Sequence, residues 1–237
     1  MEIIPNVHII PGITVNHYLL KDTNGLTLID AGIPGSAWKV LAYLRRWHFS
    51  PRDLKRILIT HADYDHVGGL AALKRASGAR VYAHAIEARA IAAGRFSRSL
   101  KAVNAYLKRL FILAENLGTT APVQVDETLT AGQVLPVLDG LQVVDSSGHT
   151  PGHLSFFMPS TGILFTGDSI LSVRNRLVGS HGAVTWDQDK ADRSVSRQAA
   201  LRACIVCSAH GNVVWNAIGK FPQRWERFTA TPALQSL

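Results

Sequence analysis

Cysteine is nearly absent: only Cys204 and Cys207 occur, three positions apart in ACIVCSAHG. If that run is a strand, the two point to opposite faces, which disfavours a disulfide, and CxxC without a helix start is a weak redox signal. Both are read as buried, inert thiols. No apolar run approaches the roughly 20 residues that span a bilayer. The beginning, MEIIPNVHIIPG, lacks the basic start and apolar core of a signal peptide, so a soluble cytoplasmic protein with no membrane partner is expected. Charged residues make up 18% against 47% hydrophobic, which excludes a disordered or fibrous chain. Internal repeats and low-complexity linkers are missing too, and 237 residues are enough to bury a proper core.

What charge there is falls unevenly. The formal net charge is +8, with six basic residues against one acidic from Lys39 to Arg56 and six against two from Ile86 to Leu117. Such patches attract anionic substrates or nucleic acid. Solvated helix faces account for them as simply, so nucleic acid is the less favoured partner.

Short apolar runs bounded by turn residues, VHIIPG, TVNHYLL and LTLIDAG, predict strands and a hairpin at the start. From Ser36, read as an N-cap, the spacing of Ala37, Val40, Leu41, Leu44 and Trp47 predicts a helix. Further strands are predicted at 56–60, at 81–84, around Val123 and Val134, and at 141–145, 154–158, 163–166 and 205–210. Helices are predicted at 86–117 and 187–203. One α/β domain over 1–237, with a helical insertion or lid at about 86–117, is the expected organisation.

Four groups of ligand-type residues end or follow predicted strands: His61, Asp63, Asp65 and His66 in THADYDHVGG, His149 in SSGHTPGH, Asp168 in LFTGDS, and His210 in CSAHGN. A rigid sheet presents ligands in this way on the loops of one edge. Aspartates repel one another when brought together dry, and unpaired buried charges cost several kcal/mol, whereas divalent ions remove the penalty. One histidine or one TGD is ambiguous alone. Two pairs of ligands within six residues rarely arise for packing, and metal binding is the expectation.

In that order, after an early LIDAG, these motifs resemble those of the metallo-β-lactamase-fold hydrolases, and the resemblance spans Asp30 to His210. It implies a four-layer αββα sandwich with a binuclear centre at one edge. It also implies His61, Asp63 and His149 on one ion, Asp65, His66 and His210 on the other, and Asp168 between them. Asp30 and His153 would brace the ligand loops. The departure is Asp63, where most members carry histidine; an oxygen ligand shifts preference toward iron or manganese, although zinc, the first expectation, accepts it. A carboxylate at this place in the flavodiiron branch makes a di-iron oxidoreductase the alternative, with a nucleic-acid-binding scaffold a distant third. The implied chemistry is hydrolysis of a small ester, lactone, thioester or phosphoester, with Asp65 orienting water or passing a proton. Leu171 stands where related lactonases carry tyrosine, and the stretch after His210 is short for the helical domain of glyoxalase II. Phe96, Tyr106 and His181 are candidates to reach a substrate, and Arg95, Arg98 and Lys101 would suit an anionic one. Trp215, Phe221, Trp225 and Phe228 are expected to pack on the core.

Overall fold

The computed structural model describes residues 1–98 and 120–221. Seven strands form the first sheet in chain order: β1 (Glu2–Ile4), β2 (Val7–Pro11), β3 (Asn16–Asp22), β4 (Gly25–Ile29), β5 (Leu54–Leu58), β6 (Arg80–His84) and β7 (Glu127–Leu129). Pairing is antiparallel as far as β4 and parallel from β4 to β7. The second sheet contains β8 (Val134–Leu135), β9 (Leu141–Asp145), β10 (Leu154–Met158), β11 (Ile163–Gly167), β14 (Ile205–Ser208) and β15 (Val214–Trp215) in the order β15-β14-β11-β10-β9-β8. A separate hairpin joins β12 (Ile170–Val173) to β13 (Arg176–Gly179).

The runs LSFFM, ILFTG and IVCS are buried throughout and mostly apolar because both of their faces are covered. Alternate residues Phe156, Phe165 and Cys207 point into the core between the sheets, meeting Tyr18, Leu20 and Ile29. Their neighbours Phe157, Leu164 and Val206 pack outward with Val195 of helix α5 (Gln188–Ala200). Phe156 and Phe165 are opposite each other across β10 and β11, and the Tyr18 ring lies 5.2 Å from that of Phe165. Each such fully buried aromatic contributes about 2–3 kcal/mol of burial. On the far side of the first sheet, α1 (Ala37–Arg46), the single turn α2 (Tyr64–Val67), α3 (Leu70–Ser77) and α4 (Ala85–Ala93) bury Val40, Leu44, Val67, Leu70, Leu73 and Ile91. The layers are thus αββα.

β4 and β5 run parallel, as do β11 and β14. β9 shares the direction of β11, because both are antiparallel to β10. All five therefore end at one edge, and the predicted site residues follow those ends. That edge is stitched together by hydrogen bonds from Leu154 N to the Thr60 carbonyl, from Asn16 N to the Ala209 carbonyl and from the Tyr18 hydroxyl to the Ser208 carbonyl.

Several local expectations are corrected. Ser36 does occupy the N-cap position of α1, but its hydroxyl donates to the Ile33 carbonyl and makes no cap bond. The helix expected from Ile86 ends at Ala93, where Gly94 turns left-handed; residues 99–119, which include Lys101 and Tyr106, lie outside the described residues. Val123 is buried but not in a strand: its N–H donates to the Ile91 carbonyl at the end of α4. Cys207 is buried, but Cys204 is exposed. Trp215 is exposed while Phe221 is buried, and Trp225 and Phe228 lie outside the described residues.

Candidate metal centre

All seven predicted ligands converge. His61, Asp63 and His149 place ligand-type atoms within 4.8 Å of one another, as do Asp65, His66 and His210, and as do His61, His66 and Asp168. Asp63 Oδ2 is 3.5 Å from His61 Nε2 and 3.3 Å from His149 Nε2. Across the cluster, His210 Nε2 lies 3.5 Å from Asp65 and 3.4 Å from Asp168, and Asp168 is 3.3 Å from His66 Nε2. Among the described residues His61 Nε2, His66 Nε2 and Asp168 Oδ1 are buried without a hydrogen-bond partner. Each such atom costs about 1–3 kcal/mol unless something satisfies it, so the donor set fits divalent ions.

The imidazoles are all turned the same way by what holds their other nitrogen. His66 Nδ1 is 2.8 Å from Asp30 Oδ2, an acceptor, so Nδ1 carries the hydrogen. Thr60 gives its hydroxyl hydrogen to Asp30 and can only accept from His61 Nδ1, 3.0 Å away. His210 Nδ1 donates to the Thr14 carbonyl at 3.0 Å. His149 Nδ1 meets the Ser180 hydroxyl at 2.8 Å, while its Nε2 faces a guanidinium that can only donate. In every case Nε2 is left toward the cluster. His153, by contrast, uses both nitrogens: Nδ1 lies 2.7 Å from the Ser146 hydroxyl and Nε2 accepts the Asp168 backbone N–H.

Strain and close packing support this arrangement. Asp30 has a left-handed backbone, φ 60°, which costs a non-glycine residue about 1–3 kcal/mol. Its carboxylate offsets that by accepting from Thr60 N, the Thr60 hydroxyl and His66. Gly167, φ 52°, is required before Asp168, since a Cβ there would lie 2.8 Å from the His153 ring.

Charge follows the geometry. Burial alone would raise the pKa of Asp63, but His61, His149 and Arg98 outweigh it and hold the carboxyl well below its usual range. Asp168 is lowered in the same way by His66, His210 and His149. Burial lowers His66 and His210, but the surrounding aspartates win, raising His66 well above its usual value and His210 to about 10.

Some residues that build the site were not singled out in the sequence. Glu87 on α4 is fully buried and accepts from Ala62 N, the Thr150 hydroxyl and Gly152 N, tying together the loops of His61 and His149. A lone acid among the alanines of AIEARAIAA was the available signal. Gln198, on α5, takes the hydroxyls of Ser155 and Ser169 beneath His153. Beyond β13, Ser180 holds His149 and is itself bonded to the Thr185 hydroxyl. Arg98, expected to face an anionic substrate, is instead buried on Asp63. Phe96 packs edge-on against Tyr64, while Arg95 and His181 are exposed.

The metallo-beta-lactamase superfamily model matches residues 10–210. A hydroxyacylglutathione hydrolase from Rhodobacter capsulatus is 30% identical over 93% of this chain and 75% of its own length. A probable metallo-hydrolase from Bacillus subtilis is 26% identical over 84% of this chain and 83% of its own length. In fold, a metallo-beta-lactamase family protein from Thermus thermophilus superposes with a TM-score of 0.71 at 23% identity, covering 96% of this chain and 80% of that one.

Proposed function

The chain belongs to the metallo-β-lactamase superfamily, and from that premise we propose that it is a metal-dependent hydrolase of a small thioester or ester, working through a two-ion site. His61, Asp63 and His149 would hold one ion, Asp65, His66 and His210 the other, and Asp168 would reach both. The observation that carries this reading is the common orientation of four imidazoles, each with Nδ1 tied to the protein and Nε2 left toward three aspartates. Relatives named hydroxyacylglutathione hydrolase support a thioester as the first substrate class.

Divalent ions, zinc foremost and iron or manganese open because of the Asp63 oxygen, would supply an acidified water and polarise the carbonyl under attack. The remaining steps belong to the chain. Asp65 has 16% of its side chain exposed, at the solvent side of the cluster, and its lowered pKa keeps it ionised. It accepts the proton of the attacking water and returns it to the departing sulfur or oxygen. Asp30, Thr60 and Ser180 keep the rings in one tautomer, and His153 fixes the backbone of Asp168.

Elemental analysis of the purified protein should find a transition metal. With that metal defined, a panel of thioester, ester, lactone and phosphoester substrates should give the highest kcat/KM on a thioester. Protein free of transition metal, or metal-stripped protein that retains full activity, would sink the reading.

A further inference from the structure

Arg98 is the residue that two equivalent ion sites leave unexplained. Its side chain is 2% exposed, and its guanidinium forks onto Asp63, Nη1 to Oδ1 at 2.5 Å and Nη2 to Oδ2 at 2.9 Å. Nη2 also donates to the Val184 carbonyl at 2.9 Å and lies 3.3 Å from His149 Nε2. Asp63 Oδ2 and His149 Nε2 are therefore engaged by the guanidinium, and they belong to the His61, Asp63 and His149 group.

A guanidinium keeps its charge at every working pH, so an ion drawn to those atoms meets a fixed like charge at contact distance. Asp65 and Asp168 are different: among the described residues their ionic partners are histidines, and no lysine or arginine pairs with them. Histidine at 63 would offer the fork only a ring nitrogen. An aspartate offers two oxygens in the spacing a guanidinium matches, and so permits an arginine to be buried here. Asp63 and Arg98 are a matched pair.

We propose that Arg98 is a built-in counter-cation for the His61–Asp63–His149 half of the site. The half formed by Asp65, His66 and His210 with Asp168 loads first, and an ion enters the other half only by displacing the guanidinium from Asp63. This rests on the metal reading above and adds an order of loading to it.

The test is titration of the full chain, stripped by chelator, with Zn²⁺ in a calorimeter, followed by metal content after desalting. The unaltered chain should keep one ion and bind a second more weakly by on the order of tenfold or more. Arg98→Met should strengthen the weaker step alone, and Arg98→Lys, which keeps charge but loses the fork, should fall between. Two further variants leave Arg98 in place: His210→Ala should remove the tight step, and His149→Ala should spare it. Two equal affinities in the unaltered chain, a weaker step unmoved by Arg98→Met, or loss of the tight step in His149→Ala would each overturn the proposal while leaving the metal reading intact. No uptake by any form would overturn both.

Discussion

On one side of Asp168, Asp63 has both carboxylate oxygens held by Arg98, and the cluster there is closed over. On the other, among the described residues, the ionic partners of Asp65 are the rings of His66 and His210, and the His210 side chain is 33% exposed. Each half balances a carboxylate, but with different cations. A proton on an imidazole leaves when an ion arrives, whereas a guanidinium must move bodily away. What neutralises a carboxylate in the absence of metal thus decides how easily metal takes its place.

The largest expected effect comes from removing the residue shared by both sides. Asp168 lies 3.3, 3.7 and 3.4 Å from nitrogens of His66, His149 and His210. Asp168→Ala should lower kcat/KM on the order of 10²–10³-fold, and both metal steps should weaken in calorimetry. If only one step weakened, Asp168 would belong to that half alone. Glu87 braces the loops of His61 and His149, both on the Arg98 side. Glu87→Ala leaves the N–H groups of Ala62 and Gly152 without their acceptor and should cost about 3 kcal/mol, read as a lower urea midpoint, while weakening the Arg98-side metal step more than the other.

Ser180→Ala sharpens the contrast, because it removes the partner of His149 Nδ1 only. It should weaken the Arg98-side step on the order of tenfold and leave the other step alone. The smallest signal is protonic. His210, raised to about 10, and His66, also raised, hold protons at neutral pH in the metal-free chain, while a ligating imidazole must be neutral. Uptake at the Asp65 side should therefore release about one to two protons at pH 7, and its affinity should fall as pH falls. Calorimetry in buffers of differing protonation enthalpy measures this; heats independent of buffer would erase the difference between the halves.

How much of this was readable in the sequence depended on distance along the chain. The site residues stood out because each follows directly on an apolar strand, so residue type and position coincide locally. Strands of both sheets were likewise legible from apolar runs such as LTLI in the first and LSFFM in the second. The β12–β13 hairpin was not: its turn, Arg174-Asn175, has φ of 49° and 63°, the form usually marked by Asn-Gly, and an arginine hides it. Val123 has the apolarity of a strand but bonds to the end of a helix. Arg98 and Glu87 were opaque for a different reason. They meet partners 35 and 25 residues away, and nothing in the local pattern tells a buried charge from a solvated one.

Glu87 also has a consequence for motion. Because a single carboxylate receives N–H groups from the loops of both His61 and His149, neither amide can reach solvent without loosening the grip on the other side. In native-state deuterium exchange the amides of Ala62 and Gly152 should open with one shared free energy, 90 residues apart in the chain yet a single breathing unit.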